Sequence, residues 1–426
     1  MLPTIMNYAK VFIRVVVGLD KRPELIEHLI ADSVNEEGQR ESLPEKAANT
    51  VRQAFITCLN DRNTAPGGVL NGRPDGKKVG IYKMANICLK ILLQADKPES
   101  CETIFRNIMN SSPPLQIYPA SERVTYLYYL GRYHFANTNF YAAQLVLEKA
   151  YEDCHSAQNF VKQRRLILIY LTAANLILGR FPTETIYSTP EAKGFRQIFR
   201  PITEAIRKGD LEAFRRITNL DLTHPSARIL IRYRVFYQIG NYCEVLVWRS
   251  LFRKVFLLTG GTGGTVQSAA VLDLNAVLQI FRFLEARAKI KNAAMAAQDL
   301  GPGRRNIGHM FQDHASTNKS TYIDPDFVGM EEVEPYDHEI DFLEIESICG
   351  SLVTQGLLNG YISQKSQKLA ISGVRRPEGA LAYGFPQPWQ VIKDKSTDDV
   401  LGWKKEGGDQ GQGQVVRLSG ARPAGS

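Results

Sequence analysis

Between residues 123 and 155 the chain reads RVTYLYYLGRYHFANTNFYAAQLVLEKAYEDCH, and no other stretch constrains the fold as much. Apolar residues recur at every third and fourth position, the polar run at 136–139 interrupts them, and the same period then resumes. A period near 3.6 laid on a strand would put about half of its apolar side chains in water, so two consecutive helices forming a hairpin are predicted.

The small residues of this hairpin fall where a tetratricopeptide-like repeat places them: Leu130 and Gly131 in the first helix, Ala143, Leu147 and Ala150 in the second. Gly131 and Ala143 let the helices approach, and Leu147 fills the groove between them. Only one good match to the pattern is present, so a degenerate helical solenoid is expected rather than a regular array. Further helical patterns occur at 159–179, 195–208, 210–218, 225–239 and 241–258, punctuated by proline and glycine at 179–184, 208–210 and 222–225. At 426 residues the chain is long enough for two or three packed units, because a single core seldom grows past ~250 residues.

After residue 258 the pattern changes. Residues 259–270 (TGGTGGTVQSAA) read as a flexible segment, 271–290 as a helix and 291–337 as an irregular stretch. A helical pattern resumes over 338–358, and GLLNGYISQKSQKLAIS (356–372) then switches to period-two alternation, the mark of a two-stranded hairpin. Helices followed by such a hairpin have the order of a winged-helix module. The polar, glycine-rich tail beyond 393 is expected to be disordered.

The net charge is +8, and its placement matters more than its sum. Basic residues gather in the helical block 225–254 (Arg228, Arg232, Arg234, Arg249, Arg253 and Lys254, against Glu244) and in the wing (Lys365, Lys368, Arg375 and Arg376). Paired, the two groups could grip phosphates without reading sequence, although a solvated face is the simpler account of either. The stretch 324–346 holds ten acidic residues and no Lys or Arg; it is a solvated linker or a mobile anionic strip that competes for the basic face.

Other chemistries find little support. The six cysteines show no Cys-x-x-Cys pair and read as core thiols of a reducing compartment. His309, Asp313 and His314 have no convincing third ligand, so neither a metal nor a cofactor is expected. The stretch 68–80 (GVLNGRPDGKKVG) lacks the glycine–lysine spacing of a phosphate-binding loop, and 260–264 lacks the lysine altogether. No Gly-x-Ser-x-Gly elbow or supported Cys–His arrangement points to an enzyme. Lys10 and Arg14 interrupt the N-terminal apolar run, and LILIYLTAANLILG (166–179) is too short to cross a bilayer, so no membrane association is expected.

A helical solenoid followed by a winged helix resembles the PCI domain of proteasome-lid, signalosome and translation-initiation-factor subunits. Within that family the chain is most similar to the fungal signalosome-subunit-twelve homologues and to the PCI subunit of the nuclear transcription-and-export complex. The resemblance rests on RVTYLYYLGRYHF (123–135), RRLILIYLTAANLILGRFPT (164–183), RSLFRKVFLL (249–258), YIDPDF (322–327) and the hairpin at 356–372. It implies a mainly α chain: a TPR/HEAT-like solenoid over 1–190 and a PCI domain over 191–375. That domain would comprise a helical part (191–258) and a winged helix (265–374) split by an acidic insertion at about 286–338, and a tail over 376–426 would be largely disordered after 393. The N-terminal region reads as short for such homologues.

The resemblance further implies a non-enzymatic scaffold in the nucleus, with the cytoplasm as the other compartment. Its partners would be a SAC-type helical scaffold protein and a small acidic peptide of the proteasome-lid type, the latter packing on the helical part. Together they would present RNA or DNA with a platform serving transcription-coupled mRNA processing and export. By position, Arg249, Arg253, Lys254, Lys365 and Lys368 carry over as nucleic-acid contacts, with Arg375 and Arg376 beside them. The rival expectation is a purely structural subunit whose wing edge pairs with a neighbouring chain.

Overall fold

The computed structural model describes residues 2–25, 42–218, 225–259, 270–299, 340–371 and 379–404. It divides into two compact units, Met1–Cys154 with the segment from Thr397 onward, and His155–Ser396.

The first unit is a stack of helices: α1 (Leu2–Asp20), α2 (Leu43–Leu59), α3 (Ile81–Gln94), α4 (Glu102–Ser111), α5 (Ala120–Ala136) and α6 (Phe140–Asp153). By length and composition α1 could span a bilayer; here it buries Met6, Ala9, Ile13 and Val16 and packs with α2 and α3. The aromatic centre joins Tyr82, Tyr118, Tyr126 and Phe105 edge to face, with ring centroids 4.5–5.8 Å apart. The predicted hairpin is α5–α6. A Cβ on Gly131 would lie 2.4 Å from Leu147 Cγ, so only glycine admits Leu147 at that distance.

Between α2 and α3, strands β1 (Val69–Leu70) and β2 (Arg73–Pro74) form a small hairpin around Asn71 and Gly72, whose φ values of 51° and 72° suit the sharp turn. Nearby amides are already taken by carboxylates: Lys77 N donates to Asp61 Oδ2 (2.8 Å), and Gly76 N to Asp75 Oδ1 (2.8 Å). Those amides are closed to a phosphate.

The second unit begins with α7 (Val161–Ile177), a short α8 (Glu184–Tyr187), α9 (Phe195–Lys208), α10 (Leu211–Thr218), α11 (Pro225–Arg232) and the long α12 (Phe236–Leu258). Its onset differs from the expected boundary near 190, because α7 is bonded to residues on the far side of that boundary. Arg164 Nε lies 2.8 Å from Glu191 Oε1, both largely buried, and Tyr170 OH donates to Tyr233 O (2.8 Å).

The winged helix comes next: β3 (Ala270–Asp273), α13 (Leu274–Asp299), α14 (Phe342–Gln355), β4 (Gly360–Ser363) and β5 (Lys368–Ile371), the strands lying antiparallel in the order β3-β5-β4. Two readings of the sequence need correction here. Residues 270–273 are a third strand rather than part of a flexible segment and a helix, because β5 pairs with them from Ala270↔Ile371 to Asp273↔Lys368. Their inward residues Ala270 and Leu272 are buried with Leu369 and Ile371. The helix starts only at Leu274, where Asp273 Oδ1 accepts from Asn275 N (3.0 Å).

The tail is the second correction, since order extends past 393. Helices α15 (Gly379–Gly384) and α16 (Pro388–Lys395) pack in the second unit, where Arg180 stacks on Trp389 with its Cζ 4.6 Å from the ring centroid. Residues 397–404 then lie as a strap in the first unit. Tyr126 OH donates to Gly402 O (2.7 Å), His134 Nε2 to Leu401 O (3.1 Å) and Tyr141 OH to Asp398 Oδ1 (2.8 Å), while Val400 and Trp403 are buried. Gly402 sits at φ 90°, and a Cβ there would press on Leu130 and Phe105 at 3.0 and 3.1 Å. Composition hides such a strap because its stability comes from partners more than 250 residues away in sequence. All six cysteines are buried free thiols.

Candidate nucleic-acid interface

The wing is the turn between β4 and β5, and its tip is held from two sides. Gln364 Nε2 donates to Glu346 Oε1 on α14 (2.8 Å), and Asn275 Nδ2 at the start of α13 donates to Gln367 Oε1 (2.9 Å). Between those anchors Lys365 stands exposed. Lys368 is exposed too, and the β3–β5 register sets it directly opposite Asp273; opposite charges across a strand pair attract. The hidden third strand therefore ranks the two lysines, with Lys365 the freer phosphate donor. Tyr361, whose place among the hydrophobic residues of the hairpin suggests a packing role, is instead 63% exposed on the outward face of β4. It offers an aromatic plane two strand residues before the tip.

Helix α14 occupies the position before the hairpin that a DNA-reading winged helix would insert into the major groove. It carries Glu344 and Glu346, is capped by Asp341 through Glu344 N (2.8 Å), and contains no Lys or Arg. Such a surface repels phosphate, so base-edge reading by this helix is disfavoured.

On α12 the three carried-over residues part company. Arg253 and Lys254 are exposed. Arg249 is half-buried, and its Nη2 donates to Phe385 O (2.7 Å) and Pro386 O (2.6 Å). Burial, and after it the charge of Arg253, lowers its pKa to about 10. Besides the expected phosphate contact, Arg249 has a structural tie: its Nη2 joins the α15–α16 connection to α12. The acid of the same block, Glu244, is taken up by Arg215 at 2.6 Å.

Arg249 and Arg253 also line a cleft of about 450 Å³ together with Arg207 on α9, Gln387 and Phe385. Arg207 was not legible as a neighbour, since α9 and α12 are joined only by tertiary packing. Lys365 and Lys368 do not line this cleft. Arg375, Arg376, the bulk of the acidic insertion and the His309–His314 group lie outside the described residues. Among the described residues no three His, Cys, Asp or Glu side chains cluster as metal ligands.

No family model matches the chain. It is 27% identical over 370 residues to a PCI domain-containing protein of Schizosaccharomyces pombe, covering 86% of this chain and 67% of that one. It is 26% identical over 328 residues to PCI domain-containing protein 2 of Xenopus laevis, covering 77% and 62%. A CSN12 homologue of Neurospora crassa is 27% identical over 241 residues, covering 54% and 48%. The chain thus spans from about half to two thirds of the length of these relatives. With helical pairs in one unit and a winged helix in the other, this chain is similar in sequence to PCI domain-containing proteins and to CSN12 homologues.

Proposed function

We propose that the chain is a non-enzymatic scaffold subunit of a signalosome-like assembly whose winged helix also presents a sequence-independent surface to RNA or DNA. The observation that carries the second part is the contrast within the winged helix: Lys365 and Tyr361 exposed on the wing, and no basic residue on α14. Charge plus an aromatic plane suits backbone gripping and base stacking, while an acidic helix does not suit a groove. Arg253 and Lys254, exposed on α12, are a second cationic group. In this reading the partners are a SAC-type helical scaffold and a small acidic peptide, and the work is transcription-coupled mRNA processing and export in the nucleus.

The test is salt-dependent binding of single-stranded RNA with co-purified partners present. Lys365→Ala is expected to flatten the slope of log K against log salt by about one unit, and Lys368→Ala by less, because Asp273 stands opposite it. Parental affinity and slope in a Lys365/Lys368/Arg253/Lys254→Ala variant would rule out nucleic-acid binding by this surface. One observation favours a purely structural role instead. Among the described residues strand β4 is an edge, paired only with β5, so its outer backbone groups could pair with a strand of a neighbouring subunit.

A further inference from the structure

The cleft bounded by α9, α12 and the α15–α16 connection has a composition that the wing does not share. Among the described residues three guanidinium groups line it, from Arg207, Arg249 and Arg253, and no Asp or Glu does. Two of the three are fixed: Arg207 Cζ lies 4.9 Å from the Phe181 ring centroid, and Arg249 is forked onto two carbonyls. Arg253 is close enough to Arg249 to act on it as a like charge, so the cleft gathers positive charge at a cost in self-repulsion. Some exposed arginines elsewhere in this unit meet carboxylates, as Arg196 does with Glu184 and Arg215 with Glu244, whereas no ion pair joins the three cleft arginines to a carboxylate among the described residues. A space of about 450 Å³ exceeds a single phosphate, and Phe181, Leu246 and Phe385 give it an apolar floor.

We propose that this cleft binds a small ligand carrying two or more phosphate groups on a compact ring, separately from nucleic acid on the wing. Guanidinium forks match phosphate oxygens in pairs, so Arg207 and Arg253 hold the phosphates while the apolar floor takes the ring. Arg249, already hydrogen-bonded, contributes its field rather than a new bond. The ligand's negative charge offsets the repulsion between Arg249 and Arg253.

The experiment is calorimetric titration of the full chain at physiological salt with inositol hexakisphosphate, pyrophosphate and citrate, repeated on Arg207→Gln, Arg253→Gln and Lys365→Ala. Both arginines are exposed, so these variants should fold. The expected result is binding of the phosphate probes, roughly tenfold weaker in each arginine variant and unchanged in Lys365→Ala, with single-stranded RNA affinity unchanged in Arg207→Gln. Citrate binding as tight as the phosphates would overturn the ligand class. No binding of any probe would overturn the site. Equal losses of RNA and phosphate probe in Arg207→Gln would make the cleft part of the nucleic-acid surface and overturn its separateness. Loss of RNA binding in Lys365→Ala alone bears on the wing only, so the two proposals can fail independently.

Discussion

The wing and the C-terminal strap are both short, polar, turn-rich segments, and they have opposite fates. The wing tip leaves Lys365 and Ser366 exposed between two anchoring amides, whereas the strap buries Val400 and Trp403 and gives two backbone carbonyls to Tyr126 and His134. Polarity alone therefore does not tell a working surface from a structural one. What separates them is whether other elements satisfy the segment's backbone and cover its few apolar side chains.

The comparison breaks most readily at the strap. Trp403→Ala is expected to destabilise the first unit by about 3 kcal/mol, read as a lower urea midpoint for the transition reporting on α5 and α6. Tyr126→Phe removes the donor to Gly402 O while keeping the ring, and a loss of about 1 kcal/mol is expected. A wild-type midpoint in both would mean that the strap is dispensable.

The pH dependence of the same contact is smaller. Burial lowers the pKa of His134 below its ordinary 6.5, against the hydrogen bond to Leu401 O, which raises it. The folded state thus disfavours the protonated ring, and the contribution of His134 is complete above pH 6.5 and declines as the pH falls through the folded-state pKa. Melting temperature should drop as the pH falls below about 6.5, and His134→Gln should lessen that drop; an unchanged pH profile in the variant would refute the role. Smallest of all, Lys365→Ala should shift stability by less than about 0.5 kcal/mol while changing RNA binding. A wing variant that unfolds the chain would erase the distinction.

How much the sequence made legible depends on how far each signal reaches. The α5–α6 hairpin, its Gly131–Leu147 contact and the β4–β5 wing are local, set by periodicity and by one small residue, and they are found as expected. Strand β3 escaped because VLD runs without a break into the helical LNAVLQ, and only its register with β5 marks it as extended. With β3 unseen, the Asp273–Lys368 pairing could not be read either. Arg249 looked like its neighbour Arg253 because its acceptors lie 136 and 137 residues further along. Charge and helical face were visible in the sequence; burial by distant backbone was not.

The strap also fixes an order of events in synthesis. A ribosome delivers α1 to α6 early, yet the unit they build lacks its last piece until residue 404 has emerged, after the whole second unit has been made. Until then Tyr126, His134 and Tyr141 have no strap to bond, and the surface that will receive Trp403 stays uncovered. The unit that is translated first is thereby completed last, and a chain truncated anywhere before residue 397 leaves it unfinished.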